Sequence, residues 1–74
     1  MKKLYPADLQ QHVGHEVKIV PSNSRVSYFS GYLRRRNNSF YLEYFQGVRR
    51  RTYALRKGDG IHTGDMEQFV GWVD

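Results

Sequence analysis

From Val26 to Lys57 the chain reads VSYFSGYLRRRNNSFYLEYFQGVRRRTYALRK. Apolar and aromatic residues recur at every second position, and the pattern breaks only where turn residues fall. This period is that of half-buried strands, so the stretch predicts an antiparallel meander of three strands. Phe29, Gly31 and Leu33 share one face, with Tyr28, Ser30 and Tyr32 on the other. Gly31 signals a sharp bend or a close backbone approach within its strand. A two-residue turn at Asn37-Asn38 sets Leu33 opposite Leu42 and keeps the apolar face continuous. For the next connection, a loop of Gln46 to Arg49 pairs Leu42 with Tyr53 and Phe40 with Leu55, whereas a two-residue loop is expected to set Leu42 against Arg51. Burial favours the first.

The flanks add smaller elements. In YPADLQQHVGHE, Pro6 suits a first helical turn and Asp8 stands near the positive end of the helix dipole. Leu9 and Val13 share a face, and Gly14 is placed to end the helix in a left-handed conformation. HEVKIV alternates as a strand and PSNSR breaks it. GDG at residues 58–60 marks a turn, and Ile61 begins another short segment. In the tail DMEQFVGWVD, Met66, Phe69, Val70 and Val73 match a helical stripe, but FVGWV also reads as a strand and Gly71 weakens the helix. The strand is the expected form. The sum is one all-β domain over residues 1–74: a small, strongly bent barrel of five strands with a short N-terminal helix. Closure relieves the exposed edges of so short a sheet.

Composition narrows the functional classes. The chain has 74 residues and no cysteine, which removes disulfides and thiolate metal sites. His12, His15 and His62 lack the spacing of a zinc helix. No nucleophile elbow and no paired carboxylates are evident, so neither an enzyme nor a cofactor or metal is expected. The start MKKLYPADLQQHVG carries lysines without an apolar run after them, and no segment approaches the length of a membrane span. A cytoplasmic protein is the expectation.

Charge is the feature with functional content. Residues 34–57 hold seven arginines and Lys57 against Glu43 alone, a local +7, whereas residues 58–74 carry Asp59, Asp65, Glu67 and Asp74 with no base, a local −4. The tail could cover the basic block or meet that of a second subunit. The triplets Arg34, Arg35, Arg36 and Arg49, Arg50, Arg51 could simply solvate strand ends and block edge pairing. They could instead contact phosphates, which the planar guanidinium fork grips with two hydrogen bonds. Three consecutive arginines in a strand cannot all face one way. The aromatics between the triplets favour phosphate contact: Phe40 and Tyr53 belong to the core side, but Tyr32, Tyr41 and Phe45 fall on the other face, where unpaired bases could stack.

The element order and three segments resemble the Sm-like small-barrel family over roughly residues 7–61. LQQHVGHEVKI is similar to that family's entry from helix to first strand. SGYLRRRNNSFYL is similar to its first motif, with Gly31, Leu33 and Asn37 in place, and LRKGDGI to its second, with Arg56 and Gly58 before an apolar residue. Three departures stand out. Tyr41 occupies the place of a base-contacting asparagine, Lys57 separates Arg56 from Gly58, and thirteen residues follow Ile61. They bear on the nucleotide pocket more than on the barrel. The resemblance implies rings built by strand pairing and binding of single-stranded RNA.

The expected function is thus non-catalytic binding of single-stranded RNA, with DNA as the second polyanion, by a homo-oligomer. Its expected surface comprises Arg34, Arg35, Arg36, Asn37, Asn38, Tyr41, Arg49, Arg50, Arg51, Arg56 and Lys57. The alternative is an SH3-like protein-interaction module of a phage or mobile-element assembly, in which the basic face meets an acidic protein.

Overall fold

A computed structural model describes residues 2–23, 27–65 and 68–74. Eight elements follow in order: β1 (Lys3–Leu4), α1 (Pro6–Gln10), β2 (Glu16–Val20), β3 (Phe29–Arg36), β4 (Ser39–Gln46), β5 (Arg49–Ala54), β6 (Gly60–Thr63) and β7 (Phe69–Val73). The strands form one sheet in the order β1-β7-β6-β2-β3-β4-β5. All neighbours are antiparallel except β1 and β7, which run parallel with Lys3 opposite Trp72 and Leu4 opposite Val73.

The meander has the expected register. Leu33 faces Leu42, and Leu42 faces Tyr53. Asn37 (φ 56°) supplies the left-handed turn between β3 and β4, and Gly47 (φ 63°) does so between β4 and β5. Gln46 and Arg49 belong to the ladder, so the second turn is two residues, Gly47 and Val48, rather than the four expected. Gly31 is the hinge of β3. Phe29–Tyr32 pair with β2 and Tyr32–Arg36 with β4, and a Cβ at Gly31 would strike the carbonyl oxygen of Glu43. The strand can bend this tightly only with glycine there.

Two expectations are corrected. Among the described residues the strands number seven, not five, because β1 and β6 are short and β1 has no alternation to read. Among them the sheet is also not closed into a barrel: β1 and β5 are its edges and no ladder joins them. Between those edges, with α1, lies a cleft of about 320 Å³ lined by Leu4, Leu9, Phe40, Leu55 and Val73 among others. Leu55 lies just past the last residue of β5, beside this cleft. It is therefore only half-buried.

The core is Leu4, Leu9, Val17, Ile19, Leu33, Leu42, Ile61 and Val73, with Phe29, Phe40, Tyr44 and Tyr53 packed around it. Helix α1 starts as expected, with the Tyr5 N–H donating to Asp8 Oδ2 at 2.9 Å. It ends sooner, at Gln10, and Gly14 (φ 87°) lies beyond the following turn, its N–H donating to the Leu33 carbonyl at 2.7 Å. The tail is a strand over Phe69–Val73. Met66 of the apolar stripe and the end of the PSNSR turn lie outside the described residues. Among the described residues no helix is long and apolar enough to cross a membrane.

Candidate nucleic-acid interface

Alternation along β3, β4 and β5 sorts their side chains between the core and an outward face. Opposite pairs build that outward face: Tyr32 beside Glu43 and Glu43 beside Thr52, Arg34 beside Tyr41 and Tyr41 beside Ala54, and Phe45 beside Arg50. Arg36 and Ser39 close the row at the Asn37 turn. Thus Arg34, Arg36, Arg50, Tyr32, Tyr41 and Phe45 share one surface. Tyr32 and Phe45 are exposed, at 43% and 65%, so their rings are open to a ligand. The short side chains of Ser39, Thr52 and Ala54 leave a cleft of about 400 Å³ around Tyr41 and Glu43, with Arg36 and Arg50 among its lining residues.

Glu43 tempers the field of this face. Its carboxylate lies 3.7 Å from Arg34 Nη2 and 3.6 Å from Arg50 Nη1. Both distances exceed that of a good hydrogen bond. The Arg34 guanidinium also sits 5.5 Å from the Tyr32 ring centroid. Such partly exposed pairs are weak, so the guanidinium groups can turn to a phosphate at small cost. Among the described residues, Arg36 has no acidic partner.

The remaining expected residues are placed differently. Arg35 has the parity of Leu33 and cannot join the outward face. It bends along the rim, donating from Nε to the Asn37 carbonyl at 2.6 Å and from Nη1 to Gln10 Oε1 at 2.7 Å. Its guanidinium stands 5.7 Å from the Phe40 ring centroid. Arg35 is therefore a brace between the β3–β4 turn and α1. Arg49 and Arg51 have the opposite parity to Arg50 and lie exposed along edge strand β5. Asn37 and Asn38 form the exposed turn, and of the two Asn37 also lines the Tyr41 cleft. Arg56 and Lys57 are exposed in the turn after β5 and are not among the residues lining the Tyr41 cleft.

Asp59, the centre of GDG, is more than a turn residue of the acidic tail. It is wholly buried. Its Oδ1 accepts from the Ser22 N–H at 2.8 Å, and its Oδ2 accepts from the Tyr53 hydroxyl at 2.8 Å and the Arg56 N–H at 2.9 Å. Its own carbonyl accepts from the Val73 N–H at 2.8 Å. One side chain thus ties the loop after β2, strand β5 and the turn before β6. Burial pushes the Tyr53 phenol up to about 12, helped by the hydrogen bond to Asp59 and by that residue's charge. Asp74, at the other end of the acidic tail, turns to Lys3 at 3.9 Å instead of to the arginines.

A second surface also escaped the sequence pattern. Phe69 packs edge-on against both His62 and Trp72, at centroid distances of 5.0 and 4.9 Å. Phe69 and Trp72 remain partly exposed. The ladder explains how residues three apart come together. His62 pairs with Phe69 but Ile61 pairs with Gly71, so β7 carries one extra residue, a bulge at Val70. His62 Nδ1 is buried beneath this group with no hydrogen-bond partner among the described residues.

Among the described residues no three histidine, aspartate or glutamate side chains converge as a metal-ligand set. No protein-family model matches the chain, and neither does any curated protein or solved structure.

Proposed function

We propose that this chain is a non-catalytic RNA-binding protein that takes single-stranded RNA on the outward face of β3, β4 and β5. The observation that supports this reading is the shared surface of three arginines and three aromatics around an open cleft. Guanidinium groups supply a contact to any phosphate, and aromatic rings supply stacking that tolerates any base. The Sm-like resemblance points the same way. It also suggests assembly into a homo-oligomer, for which the unpaired edge of β5 offers a strand to pair. The aromatic group at Phe69 and Trp72 favours one second reading, a protein-interaction module, because exposed tryptophan is common at binding hot spots.

Titration of a labelled oligouridylate at two salt concentrations tests the proposal. Arg36→Ala and Arg50→Ala should each flatten the log–log salt dependence by about 0.7. Tyr41→Ala should weaken binding by about 1–3 kcal/mol with the slope nearly unchanged. Absence of binding to single-stranded RNA or DNA at low salt would leave the protein-interaction reading in its place.

A further inference from the structure

The outward face contains one group that does not suit a surface built only for phosphates. Glu43 is the sole acidic residue between positions 34 and 57, and it stands in the middle of the arginines rather than at their margin. Its side chain is only 21% exposed. Simple charge balance would not require it to line a cleft, yet it does so, two residues from Tyr41 on the same strand and the same face. Among the described residues its carboxylate accepts no hydrogen bond; Arg34 and Arg50 hold it at 3.7 and 3.6 Å. Both oxygens therefore keep lone pairs for an incoming donor.

Resting on the reading of this face as a single-strand RNA site, we infer that the Tyr41–Glu43 cleft is a guanine pocket. The base stacks on Tyr41 and gives its N1–H and 2-amino hydrogens to the two oxygens of Glu43. The chemistry of the four bases makes the choice. An ionised carboxylate only accepts hydrogen bonds, and it accepts best from two donors side by side. On its Watson–Crick edge guanine presents such a pair. Adenine and cytosine each set one amino group beside a bare ring nitrogen, whose lone pair repels a carboxylate. Uracil sets one N–H between two carbonyl oxygens.

The surroundings fit this role. Thr52 lies opposite Glu43 and Ala54 opposite Tyr41, so the neighbouring strand leaves room over the ring instead of filling it. The cleft of about 400 Å³ falls within the range of small-molecule sites, about 300–1,000 Å³. Arg34 and Arg50 flank the carboxylate and offset its repulsion of the RNA backbone, while Arg36 stands at the far end of the row. The rows holding Arg36 and Arg50 lie on opposite sides of Tyr41 and Glu43 along β4. Phosphates on both sides of the bound base can therefore meet an arginine.

The test compares short oligouridylates that carry one central guanosine, inosine, adenosine or cytidine, by fluorescence anisotropy with the full chain. The guanosine strand should bind about tenfold tighter than plain oligouridylate. Inosine, which lacks the 2-amino group, should fall between them. In Glu43→Gln the guanosine-to-uridine ratio should collapse toward one. Adenosine should gain, because an amide offers one acceptor beside one donor. Equal affinity for all central bases in the wild-type chain overturns the guanine pocket while leaving the RNA reading intact. A guanosine preference that survives Glu43→Gln, or an inosine strand as tight as guanosine, also overturns it. Binding to none of the strands removes the RNA reading and the pocket together.

Discussion

Glu43 and Asp59 both sit among cations and aromatics, and their surroundings differ at every point. Asp59 is wholly buried and accepts three hydrogen bonds, two from backbone N–H groups and one from a tyrosine. Glu43 lies in an open cleft with two guanidinium groups held beyond hydrogen-bond range. The first has spent its acceptor capacity inside the molecule, and the second keeps it. A buried acceptor with every partner in place fixes a fold. A half-open one with unused lone pairs suits a ligand.

Substitution should separate the two sharply. Asp59→Ala leaves two backbone donors and the Tyr53 hydroxyl without an acceptor, and should destabilise the chain by about 4 kcal/mol. Much of a small domain's stability would be lost, and a thermal melt would read it directly. A shift below about 1 kcal/mol would erase the contrast with Glu43.

A second contrast lies in alkaline solution. The Tyr53 phenol titrates near 12, above its ordinary value of 10.0. The folded chain thus holds a proton that the unfolded chain releases between those values. This contribution is complete below about pH 10 and is lost as pH rises toward 12. Ultraviolet titration of tyrosinate should show a late step, and Tyr53→Phe should remove it. A titration with no late step would mean that Tyr53 is not buried against Asp59 as described.

The smallest effect on stability belongs to Glu43→Gln. Its ion pairs are long and one partner, Arg50, is 69% exposed, so the melting transition should move by less than about 0.5 kcal/mol. A larger loss would make Glu43 a structural residue like Asp59.

The meander was legible because its turns fix its register. Asn37 and Gly47 adopt left-handed turns where the sequence placed turn residues, and parity then assigns Arg34, Tyr41 and Arg50 to one face and Leu33 and Leu42 to the other. The tail was legible as a strand even though its bulge converts a period of two into a spacing of three. Val70 and Val73 both reach the core side while Phe69 and Trp72 share the outside, which imitates a helical stripe. Strand β1 was silent because two residues carry no period. Asp59 was hidden for another reason: its partners Ser22, Tyr53 and Arg56 are set by the fold and not by spacing. Charge alone groups Arg35 with its neighbours, whereas parity excludes it from their face.

The parallel bridge between β1 and β7 has a kinetic consequence. Both meander turns close loops of two residues, which hairpins do in about 1–10 μs. Pairing Lys3 with Trp72 instead spans almost the entire polypeptide, and its entropic cost comes before any gain in contacts. Leu4 reaches its buried place only through that late step, where it packs so closely over Gly71 that a Cβ there would lie 2.8 Å from its Cγ. The arginine-bearing ribbon can therefore zip early, whereas the two ends meet last and act as the latch.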